Sequence, residues 1–149
     1  MDQNDWIKEL LNEEHERRQT VKAFTAAIPS FVHTLVNHMN EALKVYESQI
    51  HTPHFTVQVL PNNTVTIQSS GIGSRSENAA SVELNASRQE LSIHFEKFGT
   101  RKERLQVSDG FLSIPGANPA FTFERLTRQI LVPVLFPELD RSITDRYIG

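Results

Sequence analysis

Between residues 55 and 114 the sequence contains six short segments in which apolar and polar residues alternate. Successive side chains of a β-strand point to opposite faces, so this alternation predicts strands with one apolar and one polar face. No link between the segments has room for the crossover helix that parallel neighbours need, which predicts an antiparallel meander. The predicted strands are residues 55–59, 64–68, 81–84, 91–96, 105–107 and 112–114.

The turns between these segments predict how the strands pair. Pro61-Asn62-Asn63 links the first two strands, and an Asn tolerates the left-handed conformation that a three-residue hairpin loop requires. Asp109-Gly110 is a two-residue hairpin signal, and another tight turn lies within residues 85–90. These turns set four apolar pairs against each other: Val107 with Leu112, Leu105 with Ile114, Leu84 with Leu91, and Val82 with Ile93.

Helical periodicity flanks the strands on both sides. From Asp5 to Glu47 apolar residues recur every three or four positions, which predicts an amphipathic helix. Pro29 lies inside this stretch and cannot donate to the carbonyl of Thr25, so we expect a kink or a break and hence a pair of helices. A last helix should begin near Thr122 and end before Pro137.

These elements predict an α+β fold with two layers. The N-terminal helix pair and the C-terminal helix should pack on the same face of the six-stranded antiparallel meander, because its apolar face needs a cover. The length fits a single domain, residues 1–149. Residues 12–20 contain no apolar side chain, so residues 1–20 are a candidate for a protruding helical arm, and residues 138–149 form a polar tail.

Composition and charge narrow the class of protein. The chain has no cysteine, which excludes disulfides, thiolate metal sites and thiol nucleophiles. The net charge of −3 gives no global field that would attract nucleic acid, so nucleic acid is a disfavoured partner. The polar N-terminus and an apolar run of only seven residues, 130–136, argue against a signal peptide and a membrane span. We therefore expect a soluble, cytoplasmic protein.

One loop and one basic stretch are candidates for contact with an anion. The segment Ser69–Ser81 contains Gly71-Ile72-Gly73, but it leads into a strand and lacks the lysine of a phosphate-binding loop. We interpret residues 71–78 as a hairpin loop in which Arg75 could contact an anion. Residues 97–104 should form the turn between strands four and five, with Arg101 and Lys102 as possible anion contacts and Glu96 facing Arg104.

No residue pattern identifies a catalytic site or a cofactor. His51 and His54 have a chelating spacing, but no third ligand lies nearby, so we predict no metal site. His94 should lie near Ser81 and Gln106 on the polar sheet face, with Glu83 on a diagonal. A histidine beside carboxylates is either an acid–base pair or part of a solvated face. Because no nucleophile or base can be named, we favour a protein that is not an enzyme.

The clearest functional signal is a surplus of apolar residues on the helices. The run 130–136 leaves no face of the last helix for water, and a separate apolar patch lies near the N-terminus. This predicts a non-catalytic interaction or accessory protein that binds a second copy or another protein. The alternative is that the N-terminal helices cover the surplus within one chain, in which case the protein is a monomer. The predicted partner-binding residues are Trp6, Leu10, Leu11, Leu131, Leu135 and Phe136.

A second hypothesis is a binder of small apolar ligands, or an enzyme, with a cavity between sheet and helices. The chain has nine phenylalanines, and its element order resembles that of helix-grip proteins of the lipid-binding kind from the helices onward, without their first strand. Type III secretion chaperones also pack helices on one face of an antiparallel sheet and pair as dimers. Their pattern places a helix among the strands, for which residues 85–90 are too few.

Overall fold

The computed structural model describes residues 3–51, 53–70 and 77–139. Within these ranges the fold is α+β, with seven strands between two helices. The elements are α1 (Asp5–Glu47), β1 (His54–Val59), β2 (Val65–Ser70), β3 (Glu77–Asn85), β4 (Glu90–Phe95), β5 (Gly99–Arg104), β6 (Gln106–Ser108), β7 (Phe111–Ser113) and α2 (Pro119–Leu135).

The expected N-terminal helix pair is a single helix of 43 residues, so the predicted break is wrong. Pro29 lies inside α1, and both Pro29 and Thr25 are exposed. Water can therefore satisfy the Thr25 carbonyl that Pro29 leaves without an intrahelical donor. Buried side chains before and after the proline, among them Phe24 and Phe31, hold both halves of the helix against the core.

β1 to β5 form one antiparallel sheet in sequence order, and β6 and β7 form a separate two-stranded sheet. Every strand pairing is antiparallel, as the short links predicted. Asn63 has a φ of 63°, the left-handed conformation predicted for the first hairpin loop. Three of the predicted pairs are confirmed: Val82 with Ile93, Leu84 with Leu91, and Val107 with Leu112.

The six-stranded meander is wrong in its second half. Gly99–Arg104, expected as a turn, is β5 and completes the main sheet, so the last hairpin lies outside that sheet. Arg104 consequently pairs with Glu90 rather than with Glu96. His94 lies opposite Ser81 as predicted, but its other neighbour is Thr100 rather than Gln106. β5 has no apolar alternation because it is an edge strand with charges on both faces.

α2 begins at Pro119, three residues before the predicted start near Thr122. The side chain of Asn118 accepts a hydrogen bond of 2.8 Å from the backbone N–H of Phe121, and Pro119 occupies the first turn, where its missing N–H costs nothing. Pro133 lies inside the helix, which ends at Leu135. Both helices contribute to one core together with the sheets. Its largest fully buried side chains include Phe24, Leu35, Met39, Ile67, Leu91, Ile93, Leu105, Leu126 and Ile130.

Candidate interaction surfaces

The N-terminal part of α1 carries an exposed apolar patch, the arm patch, formed by Trp6, Ile7, Leu10 and Leu11. Their exposed fractions are 61%, 42%, 53% and 50%. Residues spaced three and four apart share a helix face, so the four side chains form one continuous surface over two turns. None of the described residues before Phe24 is buried. The arm patch therefore lies on a part of the helix that the core does not cover.

An ion-pair cluster follows the arm patch on the same helix. Arg17 donates to Glu14 through Nε at 2.9 Å and Nη2 at 2.8 Å, and Arg18 Nε donates to Glu14 at 3.0 Å. The hydrogen bonds from Arg17 and then Arg18 lower the pKa of Glu14 from its ordinary 4.5 to about 2. Such pairs stabilise a helix that water surrounds. This cluster explains how a helix segment without apolar residues can continue from the arm patch to the core.

The C-terminal end of α2 does not provide the exposed surface expected for it. Leu131 is 4% exposed and belongs to the core, so it cannot contact a partner in the folded chain. Leu135 is half-buried and packs against the same core. Phe136 is 38% exposed, and its ring packs edge-to-face against the ring of Tyr46 in α1, with the ring centres 5.5 Å apart. The sequence left open whether the N-terminal helical region or a partner covers this surplus, and in the structure α1 packs against α2.

Two of the three predicted anion contacts, Arg101 and Lys102, do not converge. Arg75 lies outside the described residues. Arg101 and Lys102 are adjacent on β5 and therefore point to opposite faces of the sheet. The Arg101 guanidinium lies 5.5 Å from the centre of the Phe95 ring, while Lys102 Nζ lies 3.7 Å from Glu90.

Arg101 lies beside other cations that are distant from it in sequence. It lines a hollow of about 300 Å³ between β5 and α2, together with Arg125 and Arg128. Carboxylates offset these charges: Glu124 lines the same hollow, and Glu103 lies 3.6 Å from Arg125. The grouping was missed because residues 99–104 were expected to form a turn.

His94 and His54 take part in local contacts. His94 makes a 2.9 Å hydrogen bond to the Thr100 hydroxyl through Nδ1, and its Nε2 lies 3.6 Å from Glu83, the predicted diagonal neighbour. His54 Nδ1 lies 2.7 Å from Glu47, which links the end of α1 to the start of β1. In the described parts of the chain, no three His, Asp or Glu side chains come close enough to hold a metal ion.

The two edge strands of the main sheet, β1 and β5, differ in their number of charged residues. β5 carries four charged residues in six positions, whereas β1 has none after His54. A groove of about 540 Å³ runs beside β1, between this strand and α1. Its α1 wall includes Asn37, Asn40, Glu41 and Lys44, and its β1 wall includes His54, Phe55, Thr56 and Val57.

A hollow of about 210 Å³ lies where the sheet approaches the C-terminal end of α2. Its lining includes the aromatic rings of Phe55, Phe95 and Phe98 and several prolines. Polar and charged residues complete it, among them Ser69, Glu77, Asn78, Glu96 and Lys97. This volume is below the range of about 300–1,000 Å³ typical of pockets for drug-sized ligands. By volume alone the hollow could hold one or two small rings, since an engineered apolar cavity of about 150 Å³ holds benzene.

Neither helix of the described chain combines the length and the apolar character that crossing a lipid bilayer requires. No protein-family model, curated protein or solved structure matches this chain.

Proposed function

We propose that this protein is a non-catalytic interaction protein that binds another protein chain through the arm patch. The observation that carries the proposal is the exposure of four large apolar side chains on adjacent turns of α1, all outside the core. Scattered exposed apolar residues are common on soluble proteins, but a contiguous group marks a contact surface more often. An aromatic ring, here that of Trp6, is also typical of the residues that dominate binding energy.

The surroundings of the arm patch indicate the chemistry of the partner. Glu13, Glu14 and Arg17 border a depression of about 420 Å³ beside Ile7, Leu10 and Leu11. Interfaces commonly have an apolar centre and a charged rim. The partner surface should therefore present an apolar groove or helix face flanked by charges of both signs.

A site-specific cross-linker tests where the partner binds. The photoreactive residue benzoylphenylalanine replaces Leu10 in one variant and Asn12, which lies on the opposite helix face, in the control variant. Cells expressing each variant are irradiated, and the cross-linked protein is identified and purified. The proposal predicts a discrete adduct at position 10 and none at position 12. Equal labelling at both positions contradicts it.

The purified partner then allows a measurement of affinity. Leu10→Glu places an unpaired carboxylate in the contact, and calorimetry should show binding weakened by roughly tenfold or more. Asn12→Glu adds the same charge on the other face and should leave the affinity unchanged. If both variants bind as the wild type does, the arm patch is not the contact surface.

Binding of a small apolar ligand in the 210 Å³ hollow is the second candidate function, supported by the aromatic lining. Ser69 lines the hollow and pairs with Phe55, so Ser69→Phe should fill the space. Gln68→Phe, one position along β2, places the same ring on the opposite sheet face and serves as the control. Indole binding, followed by NMR chemical shifts, should disappear only in Ser69→Phe. Indole shifts that are absent in the wild type remove this candidate.

A further inference from the structure

The two edges of the main sheet are protected to different extents. On β5, Arg101 and Glu103 lie opposite core residues of β4, so the edge carries charges that point inward as well as outward. Inward-pointing charges are a common means of preventing a further strand from adding to an edge. β1 carries no charge and no proline between Phe55 and Val59. Of the two edges, β1 is the one open to another strand.

The hydrogen-bonding pattern shows which β1 groups are available. The N–H of Leu60 donates to the carbonyl of Thr64 at 2.8 Å, which closes the hairpin with β2. Bonded pairs alternate along an antiparallel ladder, so Gln58 and Thr56 also bond towards β2. The N–H and C=O groups of Phe55, Val57 and Val59 therefore point away from the sheet, on the side where no described strand lies.

We propose that this edge binds a second copy of the chain, with β1 of each copy pairing antiparallel about a two-fold axis at Val57. Val57 then bonds to its own counterpart, and Phe55 bonds to Val59 of the other copy. Each of the three residues in each copy uses both its outward N–H and its outward C=O. A register centred on Thr56 or Gln58 leaves some of these groups without a partner.

The side chains also suit this register. Residues that pair in an antiparallel ladder lie on the same face, so Phe55 meets Val59, and Val57 meets Val57, on the apolar face. On the polar face Thr56 meets Gln58. Val59 is 47% exposed in the single chain, and the second copy would cover it.

The charges of α1 complement themselves across the same axis. Leu43 and Val57 line one groove, which places this part of α1 beside the two-fold axis. Glu41 and Lys44 are both exposed, line the same groove and lie about one helical turn apart. In an antiparallel arrangement of two α1 helices, Glu41 of each copy faces Lys44 of the other. A two-fold interface needs a patch of this self-complementary kind.

Sedimentation of the full chain at tens of micromolar tests the proposal, with the wild type expected at about twice 17.0 kDa. Val57→Pro removes an N–H that points away from β2, so the internal ladder stays intact while the dimer loses two donors. Dimerisation should weaken by roughly tenfold or more. Val57→Ala shortens the same side chain, retains the N–H and should remain dimeric. A wild type that sediments as a monomer overturns the proposal.

A charge reversal tests the same interface without altering the strand. Glu41→Lys alone places like charges opposite each other and should weaken the dimer, whereas Glu41→Lys with Lys44→Glu restores both pairs and the affinity. A dimer that survives Val57→Pro in folded protein, and that is insensitive to the charge reversal, overturns the proposal. If Leu10→Glu abolishes the dimer and Val57→Pro does not, the second copy binds at the arm patch, which contradicts this inference but not the proposed function.

Discussion

The hydroxyl of Thr122 accepts a 3.1 Å hydrogen bond from the backbone N–H of Ile114 and also donates to the carbonyl of Asn118 at 3.0 Å. Thr122 is fully buried. The Thr122 side chain thus links the end of β7 to the first turn of α2. Because it is buried, water cannot take its place in these hydrogen bonds.

Thr122→Val should destabilise the fold by about 1–3 kcal/mol, because it leaves the N–H of Ile114 buried without an acceptor. Thr122→Ser retains the hydroxyl and should cost less. The free energies of unfolding are measured by urea titration. Equal stability of the wild type and Thr122→Val contradicts this role.

The same substitution at Thr127 should have the opposite result. Among the described residues the buried Thr127 hydroxyl has no hydrogen-bond partner. Thr127→Val replaces a buried polar atom with a methyl group of similar size, so stability should be unchanged or higher. A loss above about 1 kcal/mol in urea titration indicates a hydrogen bond to that hydroxyl.

Leu131→Ala should destabilise the fold by about 2–5 kcal/mol, the range for removing a large aliphatic side chain from a core. Leu11→Ala makes the same chemical change at a half-exposed site and should change stability by less than about 0.5 kcal/mol. Thermal and urea unfolding of the two variants compare the sites directly. A soluble, fully stable Leu131→Ala protein contradicts the core position of this residue.

Replacement of both Leu135 and Phe136 by Lys should unfold the protein rather than release a folded monomer. Leu135 packs against the core and Phe136 against Tyr46, so two charges there would lie in or beside the core. Circular dichroism and sedimentation of the double variant distinguish the outcomes. A folded, monomeric double variant together with a dimeric wild type favours an interface at this end of α2.

Helix formation in the N-terminal part of α1 should depend on pH through Glu14. The pKa of Glu14 is lowered from 4.5 to about 2 by Arg17 and Arg18, so the ionised form favours the folded helix. This contribution is fully present above about pH 4.5 and is lost as the pH falls towards 2. At pH 6 the amides near residue 14 should be less protected from hydrogen exchange in Glu14→Gln than in the wild type. Near pH 2 the two proteins should be protected to the same extent. An NMR titration of the Glu14 carboxyl gives its pKa directly.

Pro29→Ala should stabilise α1 by about 1–3 kcal/mol, because it restores a donor for the Thr25 carbonyl in a helix that is already continuous. The side chain at this position is exposed, so little packing is lost. Urea titration measures the change. A destabilised Pro29→Ala variant indicates that α1 needs the proline to keep its path.

Local patterns were sufficient for the β1–β2, β3–β4 and β6–β7 hairpins, but not for the β4–β5 hairpin. Alternation identified most strands, and the turn at Asp109-Gly110 set Val107 opposite Leu112, because turn geometry and a period of two act over a few residues. The apolar residues of the arm patch could also be identified from the sequence. They form a group that is followed by a charged segment without apolar residues, and both features are local.

The sequence by itself determined an antiparallel α+β protein with an apolar patch at its N-terminal end, because periodicity and turn residues are local signals. Tertiary structure decided three further features. β5 has no apolar face and becomes a strand only by pairing with β4. α1 continues through Pro29 because packing on both sides outweighs one lost hydrogen bond. Leu131 lies in the core because α1 covers α2. A contact between segments that are far apart in sequence cannot be read from the residue pattern of either segment alone.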